Sequence, residues 1–241
     1  MIAPPPDVEV VEDLAALGFL AYTTTRAFGS VGLGTEQPVR EVMARWHTIT
    51  AHLEQAGVGR LATAGQVHGA RVLTHGGDWQ GWLRAPAADG HACAAGAATA
   101  AAVTVADCVP VFLAHPSGAM ALLHSGWRGT EARIVEAGIA ALAAVGCPAG
   151  ELVMHLGPAI CGRCYEVSPD VHERLTGRPV DRPTPVDLRA LIAAHAKSRG
   201  VQCVSTSRWC TRCDHDRFFS HRAGDAGRQI SLMAPMPGVF A

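Results

Sequence analysis

Short apolar segments crowd the middle of this chain, and their spacing limits the possible folds more than any other feature of the sequence. They are separated by Gly, Pro or Asp and lie at residues 60–64, 71–74, 101–105, 110–114 and 119–123. Segments of this length between turn residues are typical of β-strands. Their density predicts a large system of mixed or antiparallel sheets, with further strands near residues 19–25, 152–156, 201–206, 217–222 and 229–233.

Three helices are expected between these strands. The clearest covers residues 38–55, with Gly57 placed to stop it; apolar side chains recur there at helical spacing, at Val39, Met43, Trp46, Ile49 and Leu53. A second helix is expected over residues 129–144 with Thr130 as its N-cap, and a third over residues 185–198. No internal repeat or linker divides the sequence, so we expect one α+β domain over residues 1–241, with residues 1–13 as a flexible lead-in.

Composition excludes several classes of protein. Hydrophobic residues make up 49% of the chain and charged residues 17%, which favours a packed core over disorder. A net charge of -1 gives no general basis for binding nucleic acid or an anionic membrane. No apolar stretch is long enough to span a bilayer, and the first residues do not resemble a secretion signal. We therefore expect a cytoplasmic protein whose eight cysteines are thiols or metal ligands.

One cysteine and two histidines stand at the ends of predicted strands. Cys108 ends an Ala-Asp-Cys segment, His124 begins His-Ser-Gly-Trp-Arg-Gly, and His68 lies in Gln-Val-His-Gly. Cysteine and histidine together bind zinc, and three protein ligands leave one tetrahedral position for water or substrate. The sequence therefore predicts an enzyme with an open metal centre. Zinc is the expected metal, and copper is the alternative because the same ligand types suit it.

The same residues allow a second interpretation, in which Cys108 is a nucleophile activated by His124. Sequence does not separate a ligating thiolate from an attacking one, although His68 as a third member favours a metal. Each metal-bound histidine needs a hydrogen-bond acceptor on its other ring nitrogen, and Asp107 or Asp89 is expected to supply it.

Four arginines at the edges of predicted elements are candidates for holding the anionic part of a substrate. Arg128 lies in the turn between a strand and a helix, where backbone amides also favour anions. The others are Arg26, Arg222 and Arg228.

Two Cys-x-x-Cys pairs, Cys161 with Cys164 and Cys210 with Cys213, raise the question of a second metal site. Two such pairs can form a four-thiolate zinc site. Residues 165–209 separate them, which is far beyond the spacing of a compact zinc ribbon, and neither pair has a thioredoxin-like context. We expect these four thiols to be unlinked.

The sequence matches only part of the pattern of the zinc nucleobase deaminases. His52-Leu53-Glu54 matches the first half of their pattern, but no Pro-Cys-x-x-Cys follows, which excludes that fold. The chain also lacks a Walker loop, a dinucleotide-binding Gly-x-Gly-x-x-Gly and a Gly-x-Ser-x-Gly elbow.

Taken in order, the motifs of this chain resemble those of the YfiH-type family, once labelled multicopper polyphenol oxidases or laccases. The resemblance runs from about residue 22 to residue 233. The matching segments are Thr24-Thr25-Arg26, Gln66-Val67-His68-Gly69, Ala106-Asp107-Cys108-Val109-Pro110-Val111, His124-Ser125-Gly126-Trp127-Arg128-Gly129, Leu156-Gly157-Pro158-Ala159-Ile160, Cys164-Tyr165-Glu166-Val167, and Phe218-Phe219-Ser220 followed by Gly227-Arg228.

This resemblance implies a four-layered α/β/β/α fold with mixed sheets, related to that of some cysteine-dependent toxin deamidases. It implies that His68, Cys108 and His124 hold zinc, and that the substrates are a purine nucleoside and phosphate. The implied reactions are phosphorolysis of adenosine, inosine or methylthioadenosine and deamination of adenosine. Arg26 falls in the family's substrate-binding motif, so we expect it to hold phosphate with help from Arg222 or Arg228.

The chain departs from the family's pattern in places that bear on the substrate. A loop that usually reads Ser-Leu-Asn-Leu-Gly is Ser-Val-Gly-Leu-Gly at residues 30–34, residues 129–133 lack the usual Gly-Leu-x-x-Gly, and His221 stands where Tyr is frequent. Alternative functions are a copper-dependent polyphenol oxidase, a hydrolase that edits peptidoglycan precursors with the same Cys/His/His centre, and a binding protein with structural zinc. A monomer and a small homo-oligomer are both compatible with the sequence.

Overall fold

Two six-stranded sheets lie face to face, and helices cover the outer side of each. The computed structural model describes residues 4–34, 36–76 and 79–240. Its strands are β1 (Val8–Val10), β2 (Phe19–Thr24), β3 (Arg60–Ala64), β4 (Val72–His75), β5 (Gly81–Ala85), β6 (Gly90–Cys93), β7 (Thr99–Val105), β8 (Val109–Ala114), β9 (Met120–Ser125), β10 (Val153–Leu156), β11 (Glu166–Val167), β12 (Thr184–Pro185), β13 (Cys203–Thr206) and β14 (Gln229–Pro235). The helices are α1 (Glu12–Ala16), α2 (Val39–Gln55), α3 (Trp127–Glu131), α4 (Ile134–Ala143), α5 (Pro169–Thr176) and α6 (Leu188–Ser198).

Strand order defines the two sheets. The first runs β1-β2-β14-β7-β3-β5 and the second β13-β10-β8-β9-β6-β4, while β11 and β12 form a small separate pair. Both large sheets mix parallel and antiparallel neighbours. The mixed α/β/β/α architecture that the family resemblance implies is confirmed.

Three apolar cores hold the layers together. Phe19 and Met233 of the first sheet meet Phe112 and Leu122 of the second between the sheets. Outside the first sheet, α2 packs Trp46, Ile49 and Leu53 against strand residues such as Tyr22 and Leu232. Outside the second sheet, α4 and α6 pack residues such as Ile139 and Ile192. Each fully buried side chain of this size contributes about 1.5–3 kcal/mol through the apolar surface it removes from water.

Most predicted strands are present, but the strand expected at residues 217–222 is not. That described stretch forms turns, although Phe218 and Phe219 are buried as an apolar pattern suggests. The side chain of Gln229 occupies the place of a strand partner: its Oε1 accepts from the Phe219 N–H at 2.8 Å, and its Nε2 donates to the Phe219 carbonyl at 2.9 Å.

The helix expected over residues 129–144 is two helices, α3 and α4. Arg133 between them has a φ of 57°, a left-handed conformation that interrupts a right-handed helix. Thr130 lies within α3 and is not an N-cap; its hydroxyl donates to the Gly126 carbonyl at 2.9 Å.

The flexible lead-in predicted for residues 1–13 is wrong from Val8 onward, while residues 1–3 lie outside the described residues. Val8–Val10 forms β1 and pairs with β2, and α1 follows with Leu14 fully buried. Strands β5 and β6 were not expected either, because Gly81–Ala85 is largely exposed and Gly90–Cys93 contains a glycine and a histidine. Among the described residues, no helix is long and apolar enough to cross a membrane.

Candidate metal centre and cavity

Two of the loops at which the chain crosses from the first sheet to the second carry predicted metal ligands. His68 lies between β3 of the first sheet and β4 of the second, and Cys108 lies between β7 and β8. His124 comes from the end of β9, the neighbour of β8. Two chain crossings and one strand end therefore bring together residues that are far apart in sequence.

The three side chains form a compact cluster. One ligand atom from each of His68, Cys108 and His124 lies within 4.8 Å of the other two. The two imidazole rings stand edge to face with centroids 4.8 Å apart. His124 is buried, Cys108 is partly buried and His68 is exposed, so the cluster has one side open to solvent. This set of one thiol and two imidazoles can hold a metal ion.

Asp89, one of the two carboxylates suggested from sequence, binds the ring nitrogen of His124. Its Oδ1 lies 2.9 Å from His124 Nδ1, and Asp89 is itself fully buried. The carboxylate also accepts backbone N–H groups from Val67 at 3.2 Å, His68 at 2.9 Å and Gly69 at 2.7 Å. Asp89 thus orients one histidine ring and fixes the loop that carries the other.

Hydrogen bonds keep Asp89 ionised despite its burial. Burial raises the pKa of this carboxyl, but the bonds from His124 and from the Gly69 and His68 amides outweigh it, so the pKa is lowered. An ionised carboxylate only accepts hydrogen bonds, so Nδ1 of His124 carries the proton. Nε2 of His124 is then left as the metal-binding nitrogen.

Asp107, the other suggested carboxylate, has a different role. Its Oδ1 accepts from the Thr211 hydroxyl at 2.6 Å and its Oδ2 accepts from the Arg222 backbone N–H at 2.7 Å. It therefore joins the Cys108 loop to a distant segment and does not bind a ligand histidine. Asp107 and His68 both have positive φ angles, 78° and 61°. These uncommon conformations beside the cluster are held by the surrounding hydrogen bonds.

Cys108 and His124 favour each other's charged form. Burial raises the pKa of the Cys108 thiol, but the charge of His124 and hydrogen bonds from His124 and His68 lower it to about 6. Burial lowers the pKa of His124, yet the Cys108 charge and the Asp89 hydrogen bond raise it to about 9. The metal-free cluster therefore holds a thiolate near neutral pH, which is the form that binds metal.

A cavity of about 640 Å³ opens beside the cluster, and His68 forms part of its wall. Trp46 and Trp82 also line it, with their rings stacked at a centroid distance of 4.4 Å. Arg84 and Arg228 supply positive charge to the wall. Val31, Gly32 and His221, which depart from the family pattern, also line this cavity, so these departures bear on the substrate that it accepts.

Arg26 is bound by protein acceptors. Its Nε donates to the His215 carbonyl at 2.7 Å, and its Nη2 donates to the Phe218 carbonyl at 3.0 Å and to Asp225 at 2.5 Å. Asp225 lines the cavity, whereas Arg26 is not among the lining residues. The structure therefore places Arg26 behind the cavity wall, where it supports Asp225.

The remaining predicted arginines differ in what they contact. Arg228 donates through Nη1 to the carbonyls of residues 225–227 and reaches the cavity. The Arg222 guanidinium lies 5.0 Å from the Tyr165 ring centroid and donates to the Glu166 carbonyl at 2.9 Å. Arg128 is exposed and stacks on Trp127 at 4.2 Å.

Burial raises the pKa of Tyr165 to about 12, with a further contribution from the nearby Cys108 charge.

The four cysteines of the Cys-x-x-Cys pairs, expected to be unlinked, lie together. The Sγ atoms of Cys161, Cys164, Cys210 and Cys213 are all within 4.8 Å of one another. The cause is topological. Strands β10 and β13 are parallel neighbours, so the segments that follow them leave the sheet at the same end. Sequence spacing alone does not show this.

Known proteins with the same fold are found by comparison. Residues 24–235 match the family model described as multi-copper polyphenol oxidoreductase laccase, and the chain belongs to this family. It is similar in structure to the Bacillus licheniformis hypothetical protein YfiH, with a TM-score of 0.83 and 21% identity over 95% of this chain and 97% of that one.

Several curated relatives carry enzyme names. A purine nucleoside phosphorylase of Streptomyces coelicolor is 36% identical over 177 residues, covering 70% of this chain and 72% of the relative. One from Pseudomonas aeruginosa is 32% identical over 235 residues, covering 88% and 92%. An adenosine deaminase from an unknown prokaryotic organism is 34% identical over 134 residues, covering 50% of this chain and 51% of the relative.

Some residues of the cavity have little signal in the sequence. Arg84 and Trp82 lie on β5, a strand without a clear apolar pattern. Tyr165 was part of a recognised motif, but its closeness to Cys108 depends on how the segment after β10 folds back. The sequence around β5 offers only Trp82 and Arg84, two residues apart in an exposed stretch, as an indication that this strand contributes to a site.

Proposed function

We propose that this protein is a zinc-dependent purine nucleoside phosphorylase that also deaminates adenosine. The observation that carries the proposal is the opening of the His68–Cys108–His124 cluster, through His68, into a cavity of about 640 Å³. A cavity of this size suits a nucleoside. Relatives named purine nucleoside phosphorylase and adenosine deaminase support this substrate class.

The donor set fits zinc. One thiolate and two imidazoles are zinc ligands, and three of them leave a position for substrate or water. When bound there, zinc supplies a Lewis acid. The chain's own contribution is orientation: Asp89 holds the proton on His124 Nδ1 and fixes the His68 loop through three amides.

The aromatic part of the cavity suits the purine base. Trp46 and Trp82 stack on each other in its wall, and the indole N–H of Trp82 donates to the Thr63 hydroxyl at 2.8 Å. A tryptophan held in this way offers a large rigid surface at low cost in conformational entropy. We assign base recognition to this side of the cavity.

The positive part of the wall suits phosphate. In phosphorolysis a phosphate oxygen bonds to the anomeric carbon of ribose while the bond from that carbon to the purine nitrogen breaks, and the purine leaves with that electron pair. Arg84 and Arg228 both line the cavity and can bind phosphate oxygens. Arg26 acts through Asp225, because it donates to that carboxylate and is not part of the cavity wall.

The test is chromatographic analysis of zinc-loaded protein incubated with adenosine, with and without phosphate. We expect adenine and ribose 1-phosphate only when phosphate is present, and inosine in either case. Cys108→Ser should abolish both products, whereas Cys203→Ser, which changes an exposed thiol on β13, should leave both rates unchanged.

Absence of both products from folded, zinc-loaded protein would overturn the proposal. Oxidation of phenols by copper-loaded protein, without any reaction of nucleosides, would instead support the activity in the family model's description. Release of products from a peptidoglycan precursor under the same conditions would support the hydrolase alternative.

A further inference from the structure

Four cysteines from two distant segments converge at one end of the second sheet, apart from the cavity. We propose that Cys161, Cys164, Cys210 and Cys213 hold one zinc ion in a four-thiolate site that is separate from the His68–Cys108–His124 centre. This site is structural, and the proposal does not depend on the proposed catalytic function. Zinc displaces the thiol protons to solvent when it binds.

The distances suit tetrahedral coordination. Zinc–sulfur bonds of about 2.3 Å in a tetrahedron place the sulfur atoms about 3.8 Å apart. All four Sγ atoms lie within 4.8 Å of one another, and those of Cys164 and Cys213 are 3.4 Å apart. Small side-chain rotations therefore bring the four sulfurs to the required separation. Four cysteine ligands complete the zinc shell, which is typical of structural sites.

The backbone of both pairs is shaped to hold the sulfurs. The Cys161 N–H donates to Cys210 Sγ at 3.2 Å, and the Cys213 N–H donates to the same sulfur at 3.4 Å. Amide donors directed at a sulfur favour its anionic, metal-binding form. The two segments are also joined directly, because Thr211 N–H donates to the Ala159 carbonyl at 3.2 Å next to a β-bridge between Ala159 and Cys210.

Nearby arginines offset the charge of the site. Four thiolates and one zinc ion carry a net charge of two minus. Arg163 lies within the first Cys-x-x-Cys and Arg212 within the second, and Arg212 Nη1 donates to the Cys164 carbonyl at 3.4 Å. Arginine at both positions favours an anionic metal site over four neutral thiols.

A zinc ion at this site would fasten a long irregular connection in the fold. Residues 207–228, all of them described, connect β13 to β14 without any helix or strand. Long irregular connections are uncommon in compact domains. This one contacts the catalytic region: Thr211 binds Asp107, and the Arg217 carbonyl accepts from the Arg26 N–H at 2.7 Å. A zinc ion at Cys210 and Cys213 fastens the start of this connection to residues 161–164.

The first experiment counts metal in protein purified from zinc-supplemented cells. Wild-type protein should carry two zinc ions per chain. Cys164→Ser and Cys213→Ser should each carry one, as should Cys108→Ser, and Cys203→Ser should keep both. Cys213 is exposed whereas Cys210 is buried, so the substitution is made at Cys213, where it should preserve the fold. The same zinc content in wild type, Cys164→Ser and Cys213→Ser would overturn the proposal, whatever the occupancy of the His68–Cys108–His124 centre.

The second experiment identifies the ligands by cobalt substitution. Metal-free Cys108→Ser protein loaded with Co²⁺ should show the intense visible bands and the thiolate charge-transfer absorption of tetrahedral four-sulfur cobalt. The added Cys164→Ser change should reduce both. An unchanged spectrum, a disulfide between the two pairs found by mass spectrometry, or purified protein containing iron at these cysteines would overturn the assignment to zinc.

A third measurement tests the fastening role. The connection over residues 207–228 contains several arginines, which are trypsin cleavage sites. Cys164→Ser should be cleaved there at least ten times faster than wild type, while Cys203→Ser is cleaved at the wild-type rate. Equal rates in all three proteins would contradict a structural role for the metal.

Discussion

The carboxylate of Asp89 lies 2.9 Å from Nδ1 of His124 and thereby determines which nitrogen of that ring faces the metal centre. The same carboxylate accepts the backbone N–H groups of residues 67–69. One buried side chain therefore controls two of the three proposed ligands.

Asp89→Asn should weaken metal binding at this centre about 10–100-fold, the usual cost of changing a partner of a metal-bound histidine. The asparagine cannot serve both His124 and three amides as an ionised acceptor. Competition with a coloured chelator, performed in the Cys164→Ser background so that one site contributes, measures the effect. Asp181→Asn, at an exposed position, is the control, and equal affinity in both variants would contradict the role of Asp89.

Gly126 leaves space that the metal centre needs. A Cβ at this position would lie 2.9 Å from Cys108 Sγ and 3.3 Å from His68 Cδ2. Gly126→Ala should therefore displace the Cys108 sulfur and weaken metal binding about tenfold or more, by the same measure. Gly150→Ala is the matched control, because its added Cβ has its nearest neighbour at 4.0 Å. Equal metal affinity in the two variants would show that the cluster tolerates the added methyl group.

Cys108 should react with alkylating agents at unusually low pH once the metal is removed. Its pKa is lowered to about 6, so the reactive thiolate persists as pH falls to about 6 and is lost below it. An ordinary thiol has lost most of its thiolate below about pH 8.5. Mass spectrometry of iodoacetamide-treated protein at a series of pH values gives the midpoint. Zinc should protect Cys108, and a midpoint near 8 in metal-free protein would contradict the lowered pKa.

Arg84 and Arg26 should differ in their effects on phosphate. A lost hydrogen bond between charged groups costs about 1.5–3 kcal/mol, so Arg84→Gln should raise the phosphate KM roughly ten- to hundredfold. The nucleoside KM should change little. Arg26→Gln removes the support of Asp225 and should lower the thermal midpoint and the activity toward all substrates. A selective rise of the phosphate KM in Arg26→Gln would instead show that Arg26 binds phosphate directly.

How much of this molecule the sequence predicts depends on whether the information is local. Strands β7, β8 and β9 and helix α2 were expected because their apolar patterns are clear, and the three proposed metal ligands were expected because they lie at or near the ends of such strands. The broken helix at Arg133 and the four-cysteine cluster depend on tertiary contacts. A backbone φ of 57° and a parallel pairing of β10 with β13 leave no pattern in nearby residues.

Buried histidines should make this protein sensitive to acid. His91 is almost fully buried, with Nδ1 2.8 Å from His75 Nε2, and burial followed by the charge of His75 lowers its pKa to about 3. Burial lowers the pKa of His75 as well, and lowers that of His155 to about 4. The His91 and His155 rings are therefore neutral in the folded protein above about pH 3 and about pH 4, respectively.

The sign follows from proton binding. The unfolded chain takes up protons below about pH 6.5, while the folded chain does not until much lower pH. The free energy of unfolding should therefore be highest above pH 6.5 and fall as pH drops toward 4. Where a histidine is protonated in the unfolded chain and neutral in the folded chain, it contributes a slope of about 1.4 kcal/mol per pH unit. His91→Gln should reduce this slope by about one proton in urea unfolding at pH 4–7. Metal effects cancel when the variant is compared with wild type at equal metal content. The same slope in both proteins would show that His91 is already protonated in the folded state.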